Sequence, residues 1–543
     1  MLEPIRNLLF RFFSVFFRLQ NRQVSSPQTP LRHVDLPALR SKQDPKNPRK
    51  EIPDRLSGEK VVKNTAYLVA AFVGQKVLSF VYFTIVARAV GVDGAGKYFL
   101  AVSLTTMFSI FVDLGLANVL VREVAKDRSR AGSLLSNVLG MKVVLAVLTV
   151  VAVSVTSRIL NYHPQTQLMI AIASAVMVLD SIHLVLYAAM RGFQNLRYEA
   201  IGVVGGQVVS IGAGLTFIAL GLPLHFLVVA LLCGSLANVL WSAIVLRRRF
   251  GLSALNFRLE PPVVRFFWRI TVPFALAGIF SRVYSYIDSV MLSKLISESA
   301  VGVYGVAYKI AFAFQFLPMA FAAAVYPAMS EQYAGDRSGL SRIYTLSLSY
   351  LSLVVLPLAA GIGSLAPQFI GLLYGPDFNG AIVPLQVLMA SLVFAFLYWP
   401  AGSLLNACDR QARNTLAMGL TMVVNIVLNV ILIPRYGPVG AAVAALAGNL
   451  VLWSSALVFS WDVVRLDWRR FGAKAGKALV AAIIMSLVLV ALRGKVSVLL
   501  LVPVGVAAYV APALLFGAVT LSELKILASI FLRRGKGVSD LMS

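Results

Sequence analysis

Charged side chains are scarce in this chain of 543 residues: only 13% are Asp, Glu, Lys or Arg, whereas 59% are hydrophobic. Soluble domains carry about a quarter charged residues. Mean hydropathy is +0.81, and apolar stretches follow one another almost without a pause from residue 65 to residue 532. This composition excludes an ordinary soluble protein and leaves little room for a soluble catalytic domain.

Cysteine and acidic residues are also few. Cys233 and Cys408 lie in separate apolar stretches, which excludes a disulfide framework and offers no spacing for a metal site. The chain has 23 acidic and 49 basic residues, for a formal net charge of +26. The basic residues cluster between apolar stretches and in the first 63 residues, as in cytoplasmic loops that meet anionic lipid. Nucleic acid is therefore not an expected partner.

Motifs for nucleotide binding or hydrolysis are missing as well. The segment Gly91–Tyr98 matches the start of a phosphate-binding loop, but Tyr98 stands where Mg²⁺ binding requires Ser or Thr, and no βαβ setting surrounds it. We interpret it as an outward-facing turn that joins two helices. The sequence predicts a protein that is not an enzyme and that has no cofactor or metal.

What the sequence has in abundance is apolar runs of about 20 residues, the length that crosses a bilayer as a helix. They predict an all-α membrane protein of about fourteen transmembrane helices. The predicted spans are 65–88, 98–122, 132–157, 167–190, 200–220, 224–246, 268–293, 302–327, 342–364, 382–406, 413–433, 438–461, 474–492 and 497–520. Only the turn Arg493–Lys495 separates the last two.

The first 63 residues form a basic arm before the first span. Polar residues recur every three or four positions among Phe and Leu, which predicts an amphipathic helix in the cytoplasmic interface. These are Asn7, Arg11, Ser14, Arg18 and Arg22. Residues 23–60 are rich in Pro, Ser, Lys and Arg, a composition typical of disorder.

The distribution of Lys and Arg between alternate loops predicts topology. Loops after even-numbered spans hold 21 Lys and Arg residues, and loops after odd-numbered spans hold seven. Because positive loops stay in the cytoplasm, both termini are predicted to be cytoplasmic. The expected location is the inner (cytoplasmic) membrane, and an even number of spans is required.

An internal repeat divides these spans. Residues 87–101 resemble residues 293–307 at an offset of 206, with Gly96 and Tyr98 matching Gly302 and Tyr304. Since the offset covers six spans, both copies enter the membrane from the same side. This predicts two six-helix lobes related by a pseudo-twofold axis along the membrane normal, plus two C-terminal helices. Chance similarity between the loops is the alternative.

The predicted domains follow from this division. The arm occupies 1–63, the N-lobe 64–250 with spans 1–6, and the C-lobe 251–470 with spans 7–12. The two extra spans and a basic tail occupy 471–543.

Four basic residues remain inside spans, where an ionisable group costs at least about 2.5–3.5 kcal/mol. Of these, Lys76 and Arg282 are separated by the repeat offset, so each lobe carries a cation at the same depth of its first span, and Lys309 in span 8 can add a third. A cationic cavity between apolar lobes suits phosphate or diphosphate. We therefore predict that Lys76, Arg282 and Lys309 bind the substrate headgroup. The fourth, Lys142, is expected to snorkel to the cytoplasmic interface.

Structural ion pairs are the alternative interpretation of two of these cations. Arg282 could pair with Asp288, and Lys76 with Asp113.

The acidic residues inside spans are candidates for coupling to H⁺ or Na⁺, and they are Asp113, Asp180 and Asp288. His183 follows Asp180 by one helical turn, so that pair could relay protons or satisfy a hydrogen bond between helices.

Short motifs in both halves resemble one family. They are Ala87–Gly91, Gly96–Tyr98, Asp113–Leu116, Asp288–Ser293, Val301–Tyr304, Tyr326–Ser330, Tyr374–Phe378 and Leu432–Ala442. Their order and spacing, over roughly residues 61–460, resemble the polysaccharide-biosynthesis flippases. These are the Wzx/PST-type members of the multidrug/oligosaccharidyl-lipid/polysaccharide exporter superfamily.

The resemblance implies a V-shaped pair of lobes that translocates a polyprenyl-diphosphate-linked oligosaccharide from the cytoplasmic to the outer leaflet by alternating access. It implies the lipid-linked oligosaccharide and the bilayer as partners, with polysaccharide polymerase or glycosyltransferase machinery as further candidates, and a monomer. The two extra spans resemble those that help form a lipid-tail groove in lipid II flippases. A lipid II flippase, an ion-coupled drug or metabolite antiporter of the same superfamily, and a non-transporting scaffold are the alternatives.

Overall fold

The structure is a computed structural model that describes residues 58–253, 256–335 and 337–520. The predicted interfacial helix, nearly all of the predicted disordered arm and the basic tail after residue 520 lie outside the described residues. Over the described ranges the chain is helical and forms no β-strand, with a single isolated bridge between Arg493 and Val496. The prediction of an all-α membrane protein is confirmed.

Fifteen α-helices cover the described chain. They are α1 Gly58–Asp113, α2 Leu116–Lys126, α3 Ala131–Ile159, α4 Pro164–Gly192, α5 Arg197–Ala219, α6 Phe226–Phe250, α7 Pro261–Leu295, α8 Glu298–Ala313, α9 Phe316–Gly335, α10 Arg337–Ser364, α11 Ala366–Leu373, α12 Ile382–Ala407, α13 Gln411–Ser460, α14 Trp468–Leu492 and α15 Val498–Leu515. Two 3₁₀ helices lie at Arg128–Arg130 and Pro376–Ala381.

Two of these helices are too long for one crossing. At about 1.5 Å per residue, the 56 residues of α1 would extend about 80 Å if straight, more than twice the hydrocarbon thickness. Each is broken by one glycine with positive φ: Gly91 in α1 at 68° and Gly437 in α13 at 54°. Glycine is suited to such a break because it lacks the Cβ that penalises this backbone region. The turn expected at residues 91–98 is thus reduced to one kink, and the chain is helical again from Val92.

Eleven helices in the described part are long and apolar enough to cross a membrane, or twelve if the bent helix α7 counts as one span. Dividing α1 and α13 at their glycine kinks would raise twelve to fourteen. Fourteen spans therefore stays a prediction. Other breaks fall within spans that were expected to be continuous: span 2 turns at Leu114 and Gly115, and span 8 is interrupted between α8 and α9.

The repeat is visible in contacts across the lobe interface. Gly96 faces the backbone of Glu298, and Gly302, which lies 206 residues after Gly96, faces the backbone of Val92 in the reciprocal arrangement. Ser299 donates a hydrogen bond to Asp93, its own counterpart 206 residues earlier, at 3.2 Å. Such reciprocal contacts are what a twofold axis produces. The predicted relation between the lobes is confirmed.

The cores place the functional region at the interface of the lobes. One large cluster joins α1 to α8 and α12, and separate clusters fill each lobe away from this interface. The first turns of α7 contribute Val263 and Phe267 to a cluster made mostly of N-lobe residues. Helices α14 and α15 pack against α10, on the C-lobe.

Outer helix faces are apolar, as a lipid-facing surface requires. Leu148 on α3 is 61% exposed, and Leu499 and Leu515 on α15 are 79% and 82% exposed. Charged and amide side chains such as Lys142 and Asn429 are instead buried inside the lobes.

Candidate functional site

Three cations meet where α1, α7 and α8 pack together. Lys76 on α1 lies within electrostatic range of Arg282 on α7 and of Lys309 on α8. Lys76 and Arg282 are exposed, and Lys309 is half-buried. The structure thus brings together the three residues that the sequence predicted as headgroup ligands. Their role in binding stays a prediction.

Aromatic rings surround two of these cations. The Nζ atom of Lys76 lies 5.4 Å from the ring centroid of Phe312. The Nζ atom of Lys309 lies 5.2 Å from Phe83 and 5.8 Å from Phe99. A cation over a ring face gains about 0.5–2 kcal/mol, so these rings stabilise ammonium groups without neutralising them.

Arg282 and Tyr308 complete the surroundings. The guanidinium of Arg282 lies within electrostatic range of the Tyr286 side chain, one turn later on α7. Tyr308 stacks on Phe312, with ring centroids 5.4 Å apart and an angle of 17° between the planes. We call Lys76, Arg282 and Lys309 the cation cluster. Among the described residues, none of the three forms an ion pair with a carboxylate. A group of like charges without carboxylate partners favours a bound anion.

The two structural ion pairs considered from the sequence are both wrong. Asp113 pairs with Lys142, whose Nζ lies 2.6 Å from its Oδ1. Asp288 accepts hydrogen bonds from the Tyr304 hydroxyl at 2.8 Å and from Asn429 Nδ2 at 2.6 Å. Both carboxylates therefore have partners outside the cation cluster.

The prediction that Lys142 snorkels to the interface is also wrong. Its side chain is 2% exposed, and its Nζ also donates to the Ser181 hydroxyl at 2.6 Å. A lysine buried this deeply requires a carboxylate, and the turn at Leu114–Gly115 presents Asp113 to it. Hydropathy located Lys142 near a span end but does not show which helix face it occupies.

The third coupling candidate, Asp180, lies on α4. Its Oδ1 is 3.2 Å from His183 Nε2 and accepts a hydrogen bond from Ser235 on α6 at 2.5 Å. The hydrogen bond between helices is therefore present. Proton relay through the pair stays a prediction.

Each lobe contains a cavity beside the cation cluster. The N-lobe cavity has a volume of about 460 Å³. It is lined by residues that include Gln75, Thr106, Asp180, Gln207, Asn238 and Arg282. The C-lobe cavity measures about 70 Å³. Its lining includes Tyr284, Asp288, Tyr304, Tyr308, Phe312 and Asn449.

The lobes close on each other at the end that carries the Gly91 kink, the predicted outward end. The Tyr162 hydroxyl lies 2.9 Å from Ser293 Oγ, and Lys294 Nζ lies 3.8 Å from the centroid of the Tyr162 ring. Thr166 donates to Glu298 at 3.0 Å. These contacts join N-lobe to C-lobe residues, so the structure is closed at this end.

The sequence interpretation missed the aromatic residues and the cavities. A signal for the rings was present: Tyr304, Tyr308 and Phe312 recur at four-residue spacing on one face of α8, beside Lys309. The cavities depend on which faces pack inward, and this cannot be read from spans that are apolar all round.

Two broken-helix lobes around a central cluster of unpaired cations define a two-lobed membrane transporter. The family described as "Polysaccharide biosynthesis protein" matches residues 61–333, half of the chain, and the MatE family matches residues 273–431. The chain belongs to the polysaccharide biosynthesis protein family, within the superfamily that the sequence motifs resemble.

Individual proteins agree with this assignment. The chain is 23% identical over 385 residues to "Probable low-salt glycan biosynthesis flippase Agl15" of Haloferax volcanii, covering 69% of this chain and 79% of the relative. It is 33% identical over 171 residues to "Probable flippase AglR" of the same organism, covering 30% and 35%. The fold matches the solved structure "Lipid II flippase MurJ, inward closed conformation" with a TM-score of 0.68 and 15% identity, covering 82% of this chain and 98% of that one.

Proposed function

We propose that this protein is a flippase for polyprenyl-diphosphate-linked oligosaccharides, which it moves from the cytoplasmic to the outer leaflet by alternating access. The observation that carries the proposal is the cation cluster: three positive charges between apolar lobes, without a carboxylate partner among the described residues. The family and the glycan flippase among the relatives support the substrate class.

The chemistry of the cluster suits a diphosphate. Arg282 can engage two phosphate oxygens with its planar guanidinium, while Lys76 and Lys309 act as point charges. A group with more cations than acids disfavours the cationic substrates of a drug antiporter. A lipid II flippase would use the same headgroup chemistry, and the similarity to MurJ shows the fold alone.

The setting of this activity is part of the proposal. The protein acts as a monomeric transporter in the inner membrane, with both termini in the cytoplasm, and has no chemistry of its own. Export of finished lipid-linked units places it next to the glycosyltransferase and polymerase machinery that makes and uses them.

Coupling to an ion is the least defined step, and Asp288 has the geometry that suits it best. Asp288 is only 4% exposed, and its described partners, Tyr304 and Asn429, are neutral. A buried carboxylate without a cation favours uptake of H⁺ or Na⁺. Asp113, in contrast, is neutralised by Lys142.

The experiment is transbilayer movement of labelled undecaprenyl diphosphate in liposomes that contain the purified full-length protein. We expect Lys76→Ala/Arg282→Ala to slow movement at least tenfold, since two of three phosphate contacts are lost. Arg282→Lys should give an intermediate rate, because it keeps the charge and loses bidentate binding.

Arg158→Gln is the matched control, since Arg158 is an exposed cation near the end of α3 away from the cluster. Movement by the double variant at the rate of this control would overturn the proposal.

A further inference from the structure

The two cavities occupy equivalent places in the repeat, yet the N-lobe cavity has a volume of about 460 Å³ and the C-lobe cavity about 70 Å³. Val102 and Thr106 line the N-lobe cavity, and the residues 206 positions later, Tyr308 and Phe312, line the C-lobe cavity. Thr105 and Ser109 correspond in the same way to Ala311 and Gln315. In the C-lobe, large rings therefore occupy the space that smaller side chains leave free in the N-lobe.

The free space in the N-lobe is lined by unused hydrogen-bonding groups. Gln75 and Gln207 line the cavity, and no partner in the described chain engages their side-chain amides. The Asp180 side chain is 52% exposed and has oxygen lone pairs left beyond its bonds to Ser235 and His183. The Nδ1 atom of His183 is buried without a partner. A cavity with vacant donors and acceptors in its lining favours a ligand rich in hydroxyl groups.

The charge and shape of this cavity narrow the ligand further. Arg282 is the cation in the described lining, and the nearby Lys142 is neutralised by Asp113. Beyond Arg282 the described lining therefore offers no free positive charge for a second phosphate. The described lining holds no Phe, Tyr or Trp ring, and the imidazole of His183 is its aromatic group, which disfavours flat aromatic drugs. Amide and carboxylate groups that accept and donate together suit the hydroxyls of a sugar.

Arg282 connects this cavity to the cation cluster. It belongs to the cluster through its proximity to Lys76, and it also lines the N-lobe cavity. When Arg282 binds the diphosphate, the substituent on the phosphate farther from the lipid therefore lies at the entrance of the N-lobe cavity.

We propose that the N-lobe cavity is the glycan subsite, which takes the sugar next to the diphosphate and binds its hydroxyls through Gln75, Gln207 and Asp180. The C-lobe has no equivalent subsite, because Tyr308 and Phe312 occupy the matching space. This inference rests on the proposed function and adds where the sugar binds.

The test compares two probes, undecaprenyl diphosphate and the same lipid carrying one N-acetylglucosamine. Their dissociation constants are measured on the full-length protein in nanodiscs by native mass spectrometry. We expect the wild-type protein to bind the sugar-bearing probe about tenfold more tightly, the gain of about one or two good hydrogen bonds.

Thr106→Phe is the decisive variant, since it places in the N-lobe the ring that the C-lobe carries at the matching position. We expect it to remove the preference for the sugar-bearing probe and to leave binding of the bare lipid within twofold. Gln207→Leu removes hydrogen bonding at similar volume and should reduce the preference at least threefold. Thr216→Phe is the control, because Thr216 lies on the same lobe outside the cavity.

Each outcome separates the two proposals. Two results together support both proposals. Lys76→Ala/Arg282→Ala should lose binding of both probes, whereas Thr106→Phe and Gln207→Leu should lose only the preference for the sugar-bearing probe. A wild-type protein that binds the probes equally, or cavity variants that keep the preference, would overturn the glycan subsite alone. Failure of the wild-type protein to bind either probe better than phosphatidylglycerol would overturn the proposed function. Should Thr106→Phe unfold, Gln207→Leu decides.

Discussion

The N-lobe contains a cavity of about 460 Å³ with polar side chains in its lining, whereas the matching cavity of the C-lobe measures about 70 Å³. Both lobes follow one repeat: α3 begins at residue 131 and α10 at residue 337, the same offset that relates Lys76 to Arg282. The difference in space is therefore due to side chains on a shared helical frame. Val102 and Thr106 of the N-lobe correspond to Tyr308 and Phe312 of the C-lobe, and these two rings occupy the matching space in the C-lobe.

A second difference concerns how each lobe is held together. The N-lobe buries the ion pair of Asp113 with Lys142, and the position that matches Lys142 in the C-lobe is Leu348, which is fully buried. The position that matches Asp113 is Met319. The C-lobe thus carries apolar residues at both positions, of which Leu348 is buried and Met319 is 49% exposed. The repeat therefore accommodates either a charged pair or apolar residues at these two positions.

The largest expected effect comes from breaking this ion pair. Lys142→Leu leaves Asp113 as a largely buried carboxylate without its cation, and we expect a loss of about 3–5 kcal/mol in the free energy of unfolding. The double variant Asp113→Met/Lys142→Leu reproduces the C-lobe residues and should recover to within about 1 kcal/mol of wild type. Unfolding in detergent, followed by circular dichroism, measures both. Equal stability of the single variant and wild type would show that the pair is not structural.

An intermediate effect is expected where the lobes touch. A Cβ on Gly302 would lie 2.2 Å from the Val92 carbonyl oxygen, and one on Gly96 would lie 1.9 Å from that of Glu298. Gly302→Ala and Gly96→Ala should therefore both open the predicted outward end, and by similar amounts if the twofold relation holds.

The opening is measured as the distance between spin labels at residues 158 and 372, one in each lobe, by electron paramagnetic resonance. The labels are introduced in a background with Cys233 and Cys408 replaced by Ala. Gly363→Ala is the control, because its Cβ would meet nothing within 4 Å. Distance distributions in either interface variant that match the control would argue against a closed contact at these glycines.

The smallest expected effect compares one arginine–carboxylate pair in each lobe. Arg191 holds the buried Glu199, whereas Arg413 holds Asp462, which is 48% exposed. The hydrogen bond from Arg413 is the main cause that lowers the pKa of Asp462, and burial opposes it. Because the folded-state pKa is depressed, the stabilisation is present above about pH 4 and is lost as pH falls through the folded value.

Asp462→Asn should cost at most about 1 kcal/mol at pH 7 and nothing below the folded pKa, since exposed pairs are screened by water. Glu199→Gln, at the buried pair, should cost more. Thermal unfolding of both variants, followed from pH 7 down to about pH 2, distinguishes the two. A larger loss for Asp462→Asn than for Glu199→Gln would reverse this part of the comparison.

The sequence predicted the frame and the cation cluster because both depend on periodic features. The offset that aligns Gly96 with Gly302 also aligns Lys76 with Arg282, and a twofold axis brings such positions together. Lys142 was misplaced because hydropathy measures depth and not the direction of a side chain. Its partner Asp113 depends on a turn at Leu114 and Gly115 within one expected span.

The cavities could be predicted only in part. Applying the offset to span 2 would have paired Thr106 with Phe312 and indicated unequal lobes. That these residues face a lobe interior depends on helix packing across several spans, which single-sequence periodicity does not determine. The same limit applies to Gln207 and Asp180, whose spans look uniformly apolar.

The most direct test of the central claim is a structure of the full-length protein bound to undecaprenyl diphosphate, determined by cryo-electron microscopy. We predict diphosphate density within hydrogen-bonding distance of Arg282 and of at least one of Lys76 and Lys309. The phosphate farther from the lipid, which carries the sugar in the natural substrate, should be directed toward the N-lobe cavity. Density in the C-lobe cavity, or a cation cluster that faces lipid while the diphosphate binds elsewhere, would contradict it.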